Sequence, residues 1–169
     1  VSALWIHRVA QGARMMFPEV RLYPEDEPNE RYTPRSLFEP LHKEFRFTLD
    51  VCATAESAKC PRYFTKEQDG LTAPWIAERV WCNPPFSDIE PWVMRAWSAH
   101  AELVVMLVPA TRTDQPWWQE QIEPWRDNGE GLTTRFLPGR IRFGFPGNPE
   151  GVGVGSPMFG CVLLIWGKP

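Results

Sequence analysis

At 169 residues the chain is long enough for one domain with its own apolar core. Hydrophobic residues make up 43% and charged residues 23%, which excludes an intrinsically disordered chain. A net charge of -3 argues against nucleic-acid binding by bulk charge and leaves a local basic strip as the only electrostatic route to such a partner.

No run of the sequence approaches the roughly 20 apolar residues of a membrane-spanning helix. The cysteines Cys52, Cys60, Cys82 and Cys161 form no Cys-x-x-Cys pair, and there are three histidines. That spacing speaks against a zinc site and a disulfide framework, and the expectation is a reducing cytoplasm and no metal. Most of these cysteines sit in apolar runs, as buried thiols do.

The first 29 residues read as a peripheral extension or linker. Val1 to Ile6 is apolar but short, lacks a basic start and a small-residue cleavage site, and does not read as a secretory signal. Met15-Met16 leaves room for an alternative start, and Pro24-Glu25-Asp26-Glu27-Pro28 is a solvated linker. Tyr32-Thr33-Pro34-Arg35 opens the first helix, with Thr33 as N-cap and Pro34 at the first helical position. Leu37, Phe38, Leu41 and Phe45 give it an apolar face, and Pro40 is expected to kink or shorten it. Phe45 to Cys52 predicts a strand, and Arg62 to Thr65 a second, shorter one.

Val80-Trp81-Cys82 runs into Asn83-Pro84-Pro85-Phe86, and the rest of the chain is organised around this corner. Neither proline has an N–H for a sheet ladder, and the residue before a proline is pushed out of the α region. A rigid turn at the carboxyl end of a strand results, with an amide on one side and an aromatic ring on the other. In open α/β sheets ligands bind at that edge. The Asn83 side-chain oxygen and the Pro84 carbonyl can both accept hydrogen bonds from one planar NH2, while Phe86 stacks on the ring that bears it. The competing reading is a strand-ending turn with Phe86 buried in the core.

Ser87-Asp88-Ile89-Glu90 has the pattern of a capping box, opening a helix with Ile89, Val93 and Trp97 on one face. Glu102 to Pro109 is a near-continuous apolar run that suits a strand covered on both faces. Asp114 to Asp127 is partly helical and rich in Trp. Arg135 to Leu137 and Arg140 to Phe143 read as strand pieces, Gly144 to Pro157 as a long loop, and Phe159 to Trp166 as the closing strand. Strands alternating with helices predict an α/β domain with a mostly parallel sheet.

Several stations in order carry a resemblance. They are Tyr32-Thr33-Pro34, Leu49-Asp50-Val51-Cys52-Ala53, Ala58-Lys59-Cys60, Tyr63-Phe64-Thr65, Asp69-Gly70-Leu71, Trp81-Cys82-Asn83-Pro84-Pro85-Phe86 and Pro138-Gly139-Arg140-Ile141-Arg142-Phe143. Across residues 30–167 the chain resembles the phage-type DNA N6-adenine methyltransferases. The resemblance implies a single class I S-adenosylmethionine-dependent methyltransferase domain over residues 30–169. Its sheet would be Rossmann-like, seven-stranded and mostly parallel, with the last strand antiparallel and entered by a hairpin. Thr33, beside Tyr32, would lie near the methionine end of S-adenosylmethionine, Asp50 would face its amino group, Cys52 and Ala53 would form the turn beneath it, and Asp69 would reach the adenosine. The turn after Asp50 departs from the Gly-x-Gly of many such folds, a departure the phage-type family shares. Asp50 as a helix cap, Thr33 as N-cap alone and Asp69 as a turn residue are the competing readings.

The implied reaction is in-line methyl transfer to adenine N6, on a base flipped out of double-stranded DNA. Asn83, Pro84, Pro85 and Phe86 would be the catalytic corner. Arg112, Arg135, Arg140 and Arg142 would form a phosphate-contacting strip, with Trp117, Trp118 and Trp125 in a second candidate segment. The alternatives are an amino-methyltransferase for cytosine N4, RNA adenine or protein glutamine, and a non-catalytic nucleic-acid-binding module on the same fold. The expected setting is a phage- or prophage-encoded monomer or weak dimer in a bacterial cytoplasm.

Overall fold

The computed structural model describes residues 30–167, so the expectations for residues 1–29 lie outside the described residues. The elements run α1 (Arg35–Phe45), β1 (Leu49–Asp50), β2 (Arg62–Tyr63), β3 (Arg79–Cys82), α2 (Glu90–Ser98), β4 (Leu103–Pro109), α3 (Pro116–Gln121), β5 (Leu132–Phe136) and β6 (Cys161–Gly167). They build one sheet in the order β2-β1-β3-β4-β6-β5. Strands β2, β1, β3 and β4 are parallel, and β6 runs antiparallel to both β4 and β5.

Alternation along the strands divides the core into two layers. Trp81, Leu103, Val105, Leu107, Leu163 and Ile165 pack with Phe38, Leu41 and Phe45 of α1. Val80, Cys82, Val104, Met106, Val108 and Leu164 face the other way, toward Trp92 and Val93 of α2 and Trp117 and Trp118 of α3. This explains why β4 reads as unbroken hydrophobic sequence: all seven residues are buried, on both faces.

The expected seven strands are six among the described residues. Beyond β2 the chain makes turns at Lys66–Gly70 and around Trp75 and returns directly to β3. A parallel crossover takes a dozen or more residues. The stretch between Tyr63 and Arg79 therefore has no room for a further strand and a second crossover. β1 is thus a switch point: one connection leaves it for β2 and the chain returns across it to β3, opening a crevice at the carboxyl ends.

Five local expectations are corrected. The first helix begins at Arg35, with Pro34 at the cap position and no side-chain cap bond, so Thr33 does not cap it. Pro40 does not break it; the proline is exposed, beside solvent that can serve the carbonyl freed by its missing N–H. The capping box at Ser87–Glu90 does not form, because Asp88 N–H donates to the Pro85 carbonyl at 3.1 Å and Ile89 takes the cap position. Trp97 lies half out of the core, and Trp92 takes its place in the buried face of α2. Finally, Arg140–Phe143 is not a strand; the chain leaves the sheet after Phe136 so that Phe143 can be buried against α1's layer.

Candidate functional site

A cavity of about 670 Å³ lies at the carboxyl ends of β1 and β3. Tyr32, Thr33, Asp50, Cys52, Ala53 and Asp69 all line it, together with Asn83 and Pro85. Six residues from three separate stretches of sequence are thus brought to one wall, and the diproline corner to another. The volume falls within the roughly 300–1,000 Å³ of small-molecule sites.

The floor is built by Asp50. Its carboxylate accepts Cys52 N–H at 3.3 Å on Oδ1 and Lys59 N–H at 3.0 Å on Oδ2. A side chain therefore performs the role that a glycine-rich turn has in many sheets, and the turn closes without glycine. Asp50 is 2% exposed, and burial pushes its pKa up to about 6 against the two N–H groups, which pull it down. The thiols of Cys52 and Cys60 are pushed up to about 12 by desolvation and by the Asp50 charge. They are packing groups at neutral pH, not nucleophiles.

Asp69 sits in a left-handed conformation (φ 50°) and its Oδ1 accepts Leu71 N–H at 3.1 Å. It is a turn residue that also lines the cavity. The neighbouring Gly70 is obligatory for a steric reason: a Cβ there would lie 2.0 Å from the Val51 carbonyl oxygen. Trp75 pins this turn from beneath by donating its indole N–H to the Gly70 carbonyl at 2.8 Å. Sequence reasoning gave Asp69 a role and gave none to Gly70, which it named only within the Asp69-Gly70-Leu71 stretch. It gave no role to Lys59, named only within Ala58-Lys59-Cys60, or to Trp92, which no local pattern marks as a lining residue.

Thr33 Oγ1 and Asn83 Oδ1, buried polar atoms on cavity-lining residues, have no hydrogen-bond partner among the described residues. Buried polar groups are nearly always satisfied, so both mark places for a donor or acceptor from outside the chain. Asn83 Nδ2 donates to the Arg31 carbonyl at 2.5 Å, which leaves Oδ1 as the acceptor at the corner.

The other members of the corner sit differently. Pro85, not Pro84, lines the cavity. Phe86 is 6% exposed and packs edge-on against Phe143 (5.6 Å) and Phe159 (6.0 Å). The Arg31 guanidinium lies over its ring, 5.8 Å from the centroid. A flat ligand would stack on Phe86 only after Arg31 moves from it. Among the basic residues, Arg112, Arg140 and Arg142 are exposed on loops after β4 and β5, at the same sheet edge as the corner. Arg135 is engaged elsewhere: it forms a two-pronged pair with Glu44 (2.8 and 2.7 Å) and lies 5.1 Å over the Phe45 ring.

The site taken whole combines a buried carboxylate, two orphaned polar atoms and a rigid corner presenting an amide oxygen. That set suits a polar small molecule bearing a cation, next to an acceptor with an exposed amino group. Residues 23–167 match the family model described as DNA N-6-adenine-methyltransferase (Dam). The chain belongs to this family. Among curated relatives, this family member is 40% identical over 81 residues to a DNA N-6-adenine-methyltransferase of Haemophilus phage HP1, covering 45% of this chain and 47% of the relative. It is 29% identical over 92 residues to another of that name from Escherichia phage T1, covering 52% of this chain and 38% of the relative. The matches thus span less than half the length of either relative. Among the described residues of this Dam-family chain, no helix is long and apolar enough to cross a membrane.

Proposed function

We propose that the chain transfers a methyl group from S-adenosylmethionine to the N6 amino group of adenine in double-stranded DNA. The observation that carries this reading is the orphaned, buried Asn83 oxygen beside a cavity that holds a buried carboxylate. An amino group offering one N–H to Asn83 Oδ1 would satisfy that acceptor. Its nitrogen lone pair would then be drawn out of the ring's conjugation and become nucleophilic. When bound, S-adenosylmethionine supplies a sulfonium methyl, which is transferred to the nitrogen while the carbon–sulfur electron pair stays on sulfur.

The residues present fit that cofactor. Asp50 would hold the cationic amino group of the methionine part, and the desolvation that raises its pKa is what a cation would relieve. Thr33 Oγ1 would regain a hydrogen-bond partner. Asp69 and the Gly70 turn would border the adenosine. What the chain itself contributes is orientation and dryness: it holds the amine against the corner with water excluded, and such alignment supplies several kcal/mol of barrier lowering. The methylated nitrogen then releases one proton to solvent.

The target base would leave the duplex, at a cost of a few kcal/mol. Arg112, Arg140 and Arg142 would track the phosphates around it. The setting in this reading is the cytoplasm of a bacterial cell, with a phage or prophage as the source of the gene.

The test is methyl transfer from labelled S-adenosylmethionine to matched DNA, RNA and protein acceptors, with nuclease mapping of the product. Asn83→Ala lowers turnover on DNA by roughly 10²-fold or more, the scale of losing one aligned polar group at a reacting centre, while cofactor affinity stays within a few-fold. Equal loss of both would assign Asn83 a structural role, and labelling of protein or RNA alone would reject the DNA reading.

A further inference from the structure

The Asn83 amide has two orientations of nearly equal shape. Only one of them presents oxygen to an amine; the other presents NH2 to NH2. Carbon-framework packing does not distinguish them, so a hydrogen-bond partner must. That partner is 52 residues away in sequence: the carbonyl of Arg31 accepts the Nδ2 hydrogen. We propose that Arg31 is a positioning residue whose main-chain carbonyl sets the orientation of the Asn83 amide, and that Gly144 anchors Arg31 for this purpose. The inference deepens the amino-methyl-transfer reading and rests on it.

Three observations hold Arg31 in place. Its neighbour Tyr32 is clamped to Gly144 by a reciprocal pair, Tyr32 N–H to the Gly144 carbonyl at 2.9 Å and Gly144 N–H to the Tyr32 carbonyl at 2.8 Å. Gly144 accepts no side chain, because a Cβ would lie 2.0 Å from the Pro149 carbonyl oxygen, so only glycine fits between Tyr32 and the Asn148–Pro149 backbone. The Arg31 guanidinium rests over the rings of Phe86 and Phe159, at 5.8 and 5.7 Å. The strap continues into Thr33, whose hydroxyl faces the same unmet need as Asn83 Oδ1. One short stretch, Arg31 to Thr33, therefore borders both the acceptor corner and the cofactor cavity.

A carbonyl at that position requires a donor from residue 83. An ionised carboxylate has none, whereas a protonated carboxyl can donate to Arg31 and accept from the amine. The two readings of the corner then separate in one variant, Asn83→Asp. The charged groups lining the cavity are Glu30 and Arg31 from the strap, Asp50 and Lys59 around β1, and Lys66, Glu67 and Asp69 from the following turn. All are common to variant and wild type, so the comparison between the two reports position 83.

The expected result is that the ratio of variant to wild-type kcat, at saturating S-adenosylmethionine, rises at least about tenfold from pH 8 to pH 5.5, the change expected when the active form is the protonated one. Thermal unfolding of the ligand-free proteins gives a second readout that needs no activity: the variant's deficit in Tm shrinks as pH falls over the same range. A variant with a flat kcat ratio and a Tm deficit independent of pH overturns the inference. If the wild type methylates no acceptor, the functional reading fails, and the unfolding comparison still decides whether Arg31 demands a donor.

Discussion

Asp50 allows a quantitative test of the proposed cofactor site. Burial, opposed by the Lys59 and Cys52 N–H groups, raises its pKa from the ordinary 3.8 to about 6. The native state thus holds this proton more tightly than the unfolded chain does. Its contribution to stability is fully present below about pH 4 and is lost as pH rises through 6. The gap of roughly two pH units corresponds to about 3 kcal/mol. Glu44, Glu78 and Asp127 have lowered pKa values and contribute the other way, losing stability as pH falls, so the Asp50 effect must be read as a difference. Chemical denaturation of wild type and Asp50→Asn from pH 4 to 7 isolates it. The constant offset carries the altered hydrogen bonds of the amide, while the change in slope carries the charge. A cation bound beside Asp50 reverses the penalty, so affinity for S-adenosylmethionine falls as pH drops below 6, by up to tenfold per pH unit, and is level from pH 6.5 to 7.5. S-adenosylhomocysteine keeps the same amino group and follows the same profile in calorimetry. Equal slopes for the two proteins, together with an affinity unchanged between pH 5 and 7, would refute the placement of a cation at Asp50.

Gly70→Ala forces a Cβ to within 2.0 Å of the Val51 carbonyl. It is expected to cost about 1–3 kcal/mol in denaturation experiments and to weaken cofactor binding, because the turn that Asp69 occupies must move. Arg140→Ala and Arg142→Ala each reduce the dependence of DNA affinity on salt by about one ion, measured by fluorescence anisotropy across a salt series. Arg135→Ala leaves that slope unchanged, since its guanidinium is held by Glu44, and costs under about 1 kcal/mol of stability as an exposed pair. Cys52, Cys60 and Cys161, with thiols pushed up to about 12, resist alkylation by iodoacetamide at pH 8 in the native protein and react after unfolding, as mass spectrometry would read.

The stretches legible in advance are those whose physics is local or periodic. The buried run of β4 announces its coverage on two faces, and Asn83-Pro84-Pro85 announces a stiff turn, because a proline's ring constrains its own backbone and its predecessor's wherever it sits. The residues that the family resemblance assigns to a cofactor do meet at one cavity. Thr33 shows the limit of this: its sequence context suits a helix cap, yet the helix starts beyond Pro34 and the hydroxyl is buried unpartnered.

What only the tertiary structure decides are charges and orientations set by distant partners. Arg135 reads as a free cation until Glu44, 91 residues away, takes it. The Asn83 amide has no preferred end until Arg31 supplies a carbonyl, and Asp50 is an ordinary carboxylate until packing removes its water. Hydrogen-bond direction and desolvation depend on what the folded chain brings within a few ångströms, and spacing along the chain carries no record of that.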